Sequence, residues 1–219
     1  MKVVHVVGWL GLALAVSWTT AAEAQPLQPA ATMQMEARRQ VASFEVALEQ
    51  AVRIGTQMLD RRLQASSAAN MVMLAGLARA RGFRLDDYGV LFDVEFPSMR
   101  RSLVWSLQEL ERASTGRPQA SQASSVKPRE IYESEITEAL LAAVLDGSAG
   151  LGVGPDEWLT IAARESVVDR RFVQGEAPGV PAEPAMTVIL RVKGSDLNAL
   201  RIGTMTREEA RKRVEVKHY

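Results

Sequence analysis

Two hydrophobic periods run along this chain. From about Met33 to Gln64 there is no proline and a single glycine, and Val41, Phe44, Leu48, Ala51, Gly55 and Met58 recur every three or four residues. That step lines up one face of an α-helix. Glu36, Arg38, Arg39, Glu45, Glu49 and Arg53 fall largely elsewhere on the wheel, so the pattern predicts a long amphipathic helix. A short apolar run, Met71 to Leu74, follows, and then the period changes to two. Phe83 and Leu85 lead into Asp86-Asp87-Tyr88-Gly89, a turn-forming cluster. Val90, Phe92, Val94 and Phe96 then alternate with Leu91, Asp93 and Glu95, as in a half-buried strand with its carboxylates outward. Arg79 to Pro97 therefore reads as a hairpin, ended by Pro97-Ser98. Leu103, Leu107 and Leu110, with Val104 and Trp105, suggest a second helix to about Arg112.

Ser114 to Lys127 holds one large apolar residue, Val126, and reads as a disordered linker. Pro128 is placed to open a helix, whose stripe is Tyr132, Ile136, Leu140, Ala143 and Val144 and whose stop is Gly147. Glu157 to Arg164 and Met186 to Lys193 read as strands around a Pro/Gly-rich loop at about 166–185. Ser195 with Asp196 can start a helical turn with Ser195 as its N-cap. Thr206 and Glu209 fit a capping box opening a helix to about Arg213, and Val214 to Lys217 can form a last edge strand. Each half thus shows helix, strand, strand, helix, without a residue-level repeat. The expected architecture is α+β: an antiparallel sheet of four to five strands covered by helices, in a single domain over 33–219.

Composition adds an address. Lys2 precedes an apolar stretch from Val3 to Val16, and small residues end in Ala22-Glu23-Ala24 before Gln25. This is the order of a secretory signal peptide cleaved after Ala24, followed by a flexible lead-in at 25–32. The alternative is an uncleaved N-terminal anchor. No later stretch reaches the length of a membrane span, so none is expected after cleavage. The expected location is the periplasm or outside the cell. Cleavage removes one base, Lys2, and one acid, Glu23, from a chain of 26 basic and 26 acidic residues, so the charge stays balanced. That balance argues against a nucleic-acid partner.

The chemistry is defined mostly by what is missing. The chain has no cysteine, and only His218 remains after cleavage. Thiol chemistry, a histidine-based triad and a His- or Cys-ligated zinc site are therefore not expected, and no cofactor or metal is assigned. Asp93 and Glu95, two apart on one strand face, are the candidate catalytic pair of a carboxylate-dependent hydrolase, or oxygen ligands for a divalent cation. The competing reading makes them a solvated face paired across the sheet with Arg79, Arg81 and Arg84. Gly147 to Pro155 is glycine-rich, but it joins a helix to a strand, the reverse of a phosphate loop, and reads as a flexible connection. Trp158 and Trp105 read as core residues, with sugar stacking as the alternative for an exposed tryptophan. Arg201, Arg207, Arg211, Lys212, Arg213 and Lys217 make the C-terminal segment basic. It reads as a solvated helix face, or alternatively as a contact for anionic lipid or polymer.

The segments DYGVLFDVEFP (Asp87 to Pro97), DEWLTIAAR (Asp156 to Arg164) and the basic stretch from Ile189 to Val216 resemble a family of secreted bacterial proteins with no assigned activity. The resemblance implies an envelope component and carries no catalytic or binding residue. Together these readings favour an exported, non-catalytic protein that binds another envelope protein or polymer, with the carboxylate hydrolase as the alternative.

Overall fold

The computed structural model describes residues 29–65, 72–102, 127–166 and 185–219. Its first element, α1 (Pro29–Ala65), starts earlier than the expected lead-in allows. Proline suits a first helical turn, where its missing N–H is not needed, so Pro29 opens the helix rather than delaying it. Phe44, Leu48 and Ala51 are buried as the stripe requires. Farther along, Leu59 and Leu63 face the core and Met58 is exposed. The helical step of 3.6 rotates the buried face gradually away from the stripe's strict spacing over so long an element.

Next come β1 (Val72–Ala75), β2 (Arg79–Leu85), β3 (Gly89–Phe96) and β4 (Ser98–Arg101). Strand β2 pairs with β3, and β1 pairs with β4, both antiparallel. The register shifts by one residue between the two ladders, so they form one long hairpin with an irregularity at residues 76–78 opposite Phe96 and Pro97. Pro97 lacks an N–H and interrupts the ladder, but pairing resumes at Ser98. The turn at Asp86 to Tyr88 uses Asp87 at φ 58°, and Gly89 follows at φ 121°. A Cβ on Gly89 would lie 2.3 Å from the Trp158 carbonyl oxygen, so only glycine fits where the turn meets the neighbouring strand.

The second half holds α2 (Pro128–Gly147), a 3-10 turn (Ser148–Leu151), β5 (Trp158–Glu165), β6 (Thr187–Lys193), α3 (Gly194–Arg201), α4 (Arg207–Arg213) and β7 (Glu215–His218). The glycine-rich connection after α2 is anchored rather than open, since Leu151 is buried in the 3-10 turn. The capping box at Thr206 and Glu209 forms as read. Ser195 is not an N-cap: helix α3 begins at Gly194, its cap position is Lys193, and the Ser195 amide donates to Pro155 O. The expected helix at 103–112, most of the linker at 114–127 and the loop centred on 167–184 lie outside the described residues.

The fold is α+β. Five strands form one sheet in the order β2-β3-β5-β6-β7, and all neighbours are antiparallel except β3 and β5, which run parallel. The expected all-antiparallel sheet is therefore mixed. The physical reason is the connection: the chain between β3 and β5 is long enough to carry α2, and a crossover of that kind lets the second hairpin enter in the parallel sense. A tandem copy of the first hairpin laid beside it would have made β5 antiparallel to β3.

Alternation sets the layers. Val90, Phe92, Val94 and Phe96 of β3, Leu159, Ile161 and Ala163 of β5, and Val188, Leu190 and Val192 of β6 are all buried on one face. Helices α1 and α2 cover that face, with Phe44 edge-on to Phe92 and Tyr132 edge-on to Phe96. The two helices approach closely at Gly55, where an added Cβ would lie 3.0 Å from Glu135 O. Arg62 bonds Glu135 at 2.7 Å beside this crossing. Helices α3 and α4 contribute Leu197 and Ala210 to the same core. Among the described residues, no helix packs on the opposite face of the sheet.

Candidate functional site

That opposite face is built by strand parity. The register brings Leu85, Gly89, Trp158 and Lys193 into one row, and Phe83, Leu91, Thr160 and Arg191 into the next. Arg81, Asp93, Ala162 and Ile189 form a third row, and Arg79, Glu95, Arg164 and Thr187 a fourth. Strand β7 adds Glu215 and Lys217 at the margin. The face is therefore graded: Leu85, Trp158, Phe83 and Leu91 gather at the hairpin-turn end with Lys193 and Arg191 beside them, and Arg81, Asp93, Arg79, Glu95 and Arg164 gather at the other.

Asp93 and Glu95 lie at the end away from the hairpin turn, and they do share a face. Their partner is not the one expected. Arg164, on the parallel neighbour β5, donates from Nε and one terminal nitrogen to the Asp93 carboxylate, each at 3.3 Å. The same terminal nitrogen donates to Glu95 at 3.0 Å. Arg79 and Arg81 are the register partners of Glu95 and Asp93 on β2, whereas Arg84 points to the helix side. There Arg84 bonds Leu151 O at 2.6 Å and Gly152 O at 3.2 Å and approaches Glu157 at 3.6 Å. The parallel pairing of β3 with β5, invisible in the hydrophobic pattern, is what delivers Arg164. One guanidinium bridging two exposed carboxylates on an open sheet is a surface ion network, a class worth about 0–1 kcal/mol per pair. Among the described residues no group of three or more His, Asp or Glu side chains is placed to hold a metal ion.

Trp158 is the larger correction. It is half-buried on the open face, not in the core. The Arg191 guanidinium lies 4.3 Å from its ring centroid and the Lys193 ammonium 5.4 Å away. Both cations sit on β6, at the register positions beside Trp158 and Thr160. An indole attracts cations through its negative ring face, and a pair of this kind at a solvent-accessible site contributes about 0.5–1 kcal/mol. Tyr88 extends the cluster, with its hydroxyl 2.8 Å from that of Thr160. Phe83 and Leu85 at the β2 edge are 48% and 42% exposed, large values for apolar residues of a strand. The pattern carries a signal for this: in EWLTIAAR, Trp158 has the parity of Thr160, Ala162 and Arg164, opposite to Leu159 and Ile161.

Two features of the helix side complete the picture. The basic C-terminal segment spends three of its cations on the body of the protein. Arg207 pairs with Asp146 at 3.0 Å, Arg213 with Asp196 at 2.7 Å, and Arg211 with Glu138. Glu165 is a buried carboxylate that the sequence pattern alone does not single out. It accepts from the Met99 amide at 3.1 Å, the Met186 amide at 2.9 Å and Arg129 at 3.3 Å. Its signal is parity again, since Glu165 continues the buried series Leu159, Ile161 and Ala163. Every one of these bonds fastens backbone or a neighbouring helix, so Glu165 is a structural anchor at the end of β5.

Comparison with protein-family profiles, with curated proteins and with solved structures finds no match to this chain. None of the described helices is long and apolar enough to cross a membrane.

Proposed function

We propose that this is an exported, non-catalytic envelope protein that holds an acidic envelope component against the open face of its sheet. The observation that carries the reading is the composition of that face. Register places six cations there (Arg79, Arg81, Arg164, Arg191, Lys193 and Lys217) against three carboxylates (Asp93, Glu95 and Glu215). The whole chain is neutral, so the sheet concentrates positive charge on one side. Beside the cations lie the Trp158 cluster and the exposed Phe83 and Leu85. Aromatic and arginine side chains together are the composition of binding surfaces, and clustered charge steers an oppositely charged partner. Export rests on the order of the leader, Lys2, the apolar stretch to Val16 and Ala22-Glu23-Ala24.

The carboxylate-hydrolase reading has less support, because Asp93 and Glu95 lie on an open surface and share one guanidinium. Retention on isolated envelopes tests the preferred reading. The wild-type protein should sediment with them at low salt and be released as salt is raised. A Trp158→Ala, Arg191→Ala variant that still folds should be retained about tenfold less, because the substitutions remove one aromatic anchor and one charged anchor from the face. Equal retention of the two proteins would contradict it. The intact mass of protein recovered outside the cytosol tests export, which requires a chain beginning at Gln25.

A further inference from the structure

The two edges of the sheet are treated differently, and the difference has a use. Strand β2 is closed off: the outward amide of Ala80 donates to Glu49 at 3.2 Å and that of Gly82 to Glu45 at 2.6 Å, both carboxylates reaching over from α1. Strand β7 is last in the sheet order on the other side. Tyr219 and Thr187 exchange both amide bonds, at 2.9 and 3.2 Å. Because bonding alternates along an antiparallel pair, Lys217 and Glu215 also address β6, and Val216 and His218 turn their N–H and C=O groups outward. Among the described residues nothing bonds to those groups, and all four residues of β7 are exposed.

We propose that β7 pairs antiparallel with β7 of a second copy of this chain, across a two-fold axis at Val216, joining two sheets into one. Charges on an edge strand normally discourage such pairing. Here they select it, because Glu215-Val216-Lys217 is self-complementary. Centred on Val216, the pairing sets Glu215 opposite Lys217 of the second copy, and Lys217 opposite its Glu215. Lys217 makes no ion pair among the described residues, and Glu215 has only a 3.9 Å approach to Arg191. A register centred on Lys217 would instead oppose two ammonium groups. With β2 blocked by Glu45 and Glu49, the assembly closes at two copies and cannot grow into a fibre.

Sedimentation equilibrium on protein purified after expression of the full chain, over a wide concentration range, tests this. Wild type should be a dimer that dissociates on dilution. Lys217→Glu places like charges opposite each other twice and should weaken the dimer on the order of tenfold or more. Adding Glu215→Lys should restore it. A second measurement does not depend on the variants: amide exchange at Val216 and His218 should slow as protein concentration rises. A wild-type monomer throughout would overturn the proposal, as would a dimer indifferent to Lys217→Glu, or exchange that does not respond to concentration. Trp158→Ala, on β5 and two strands from the outward edge, should leave the mass unchanged, which separates this proposal from binding on the open face.

Discussion

Single residues define where this chain is least tolerant of change. Glu165, with its side chain 6% exposed, holds two backbone amides and Arg129. Glu165→Ala would strand those donors, and removing a buried charge partner of this kind costs about 3–5 kcal/mol. Urea unfolding should show a loss of that size, where an exposed change such as Asp93→Ala should cost under about 1 kcal/mol. Tyr132 makes a different prediction. Its phenol donates to Pro97 O at 2.6 Å, and burial, reinforced by the charge of Glu165, raises its pKa far above the ordinary 10.0. Ionisation is therefore suppressed only in the folded state. The stability it contributes is whole below pH 10 and falls as pH rises beyond the unfolded value, by about 1.4 kcal/mol per pH unit. Tyr132→Phe should flatten that alkaline slope while losing about 1 kcal/mol at neutral pH, as a pH series of unfolding curves would show. Asp93 and Glu95 are legible as a same-face pair because strand parity is local. Arg164 is not, because its arrival depends on which way a distant strand runs.

At the scale of elements, the balance between local pattern and tertiary placement is clear in α1. Its helical period is plain from Val41 to Ala51, and the turn at Asp86 to Gly89 and the capping box at Thr206 are equally readable, each being written in a few adjacent residues. What the period does not reveal is that Glu45 and Glu49, which the helix wheel places on a solvated face, close the β2 edge. A carboxylate's hydrogen-bond partners are set by what packs beside the helix, which a single helix wheel does not contain. Replacing both with alanine should expose the β2 amides. The expected result is faster amide exchange at Ala80 and Gly82, and larger assemblies on concentration, seen by light scattering. Unchanged exchange at those two amides would show that the carboxylates do not guard the edge. Likewise, the hairpins are foreseeable individually, but the parallel seam between β3 and β5 depends on the long crossover and has no counterpart in the alternation of residues.

For the whole molecule, layering decides what is available for function. The four described helices lie on one side of the sheet, and the basic C-terminal segment is tied down there through Arg207, Arg211 and Arg213. The opposite side carries an excess of cations, and the exposed side chains of Phe83 and Leu85 lie beside Trp158 with its two flanking cations. The reading of Trp158 as core fails for a reason of scale. Among the described residues β5 is covered by helices on one side only, and a large aromatic on its other side looks in sequence like any other apolar residue. The most direct measurement is hydroxyl-radical footprinting of the protein alone and bound to isolated envelopes, with each side chain's labelling read by mass spectrometry. Phe83, Leu85 and Trp158 should lose labelling on binding, while Met33 and Met35, exposed at the start of α1, keep theirs. Undiminished labelling of the three sheet residues in the bound protein would contradict the account.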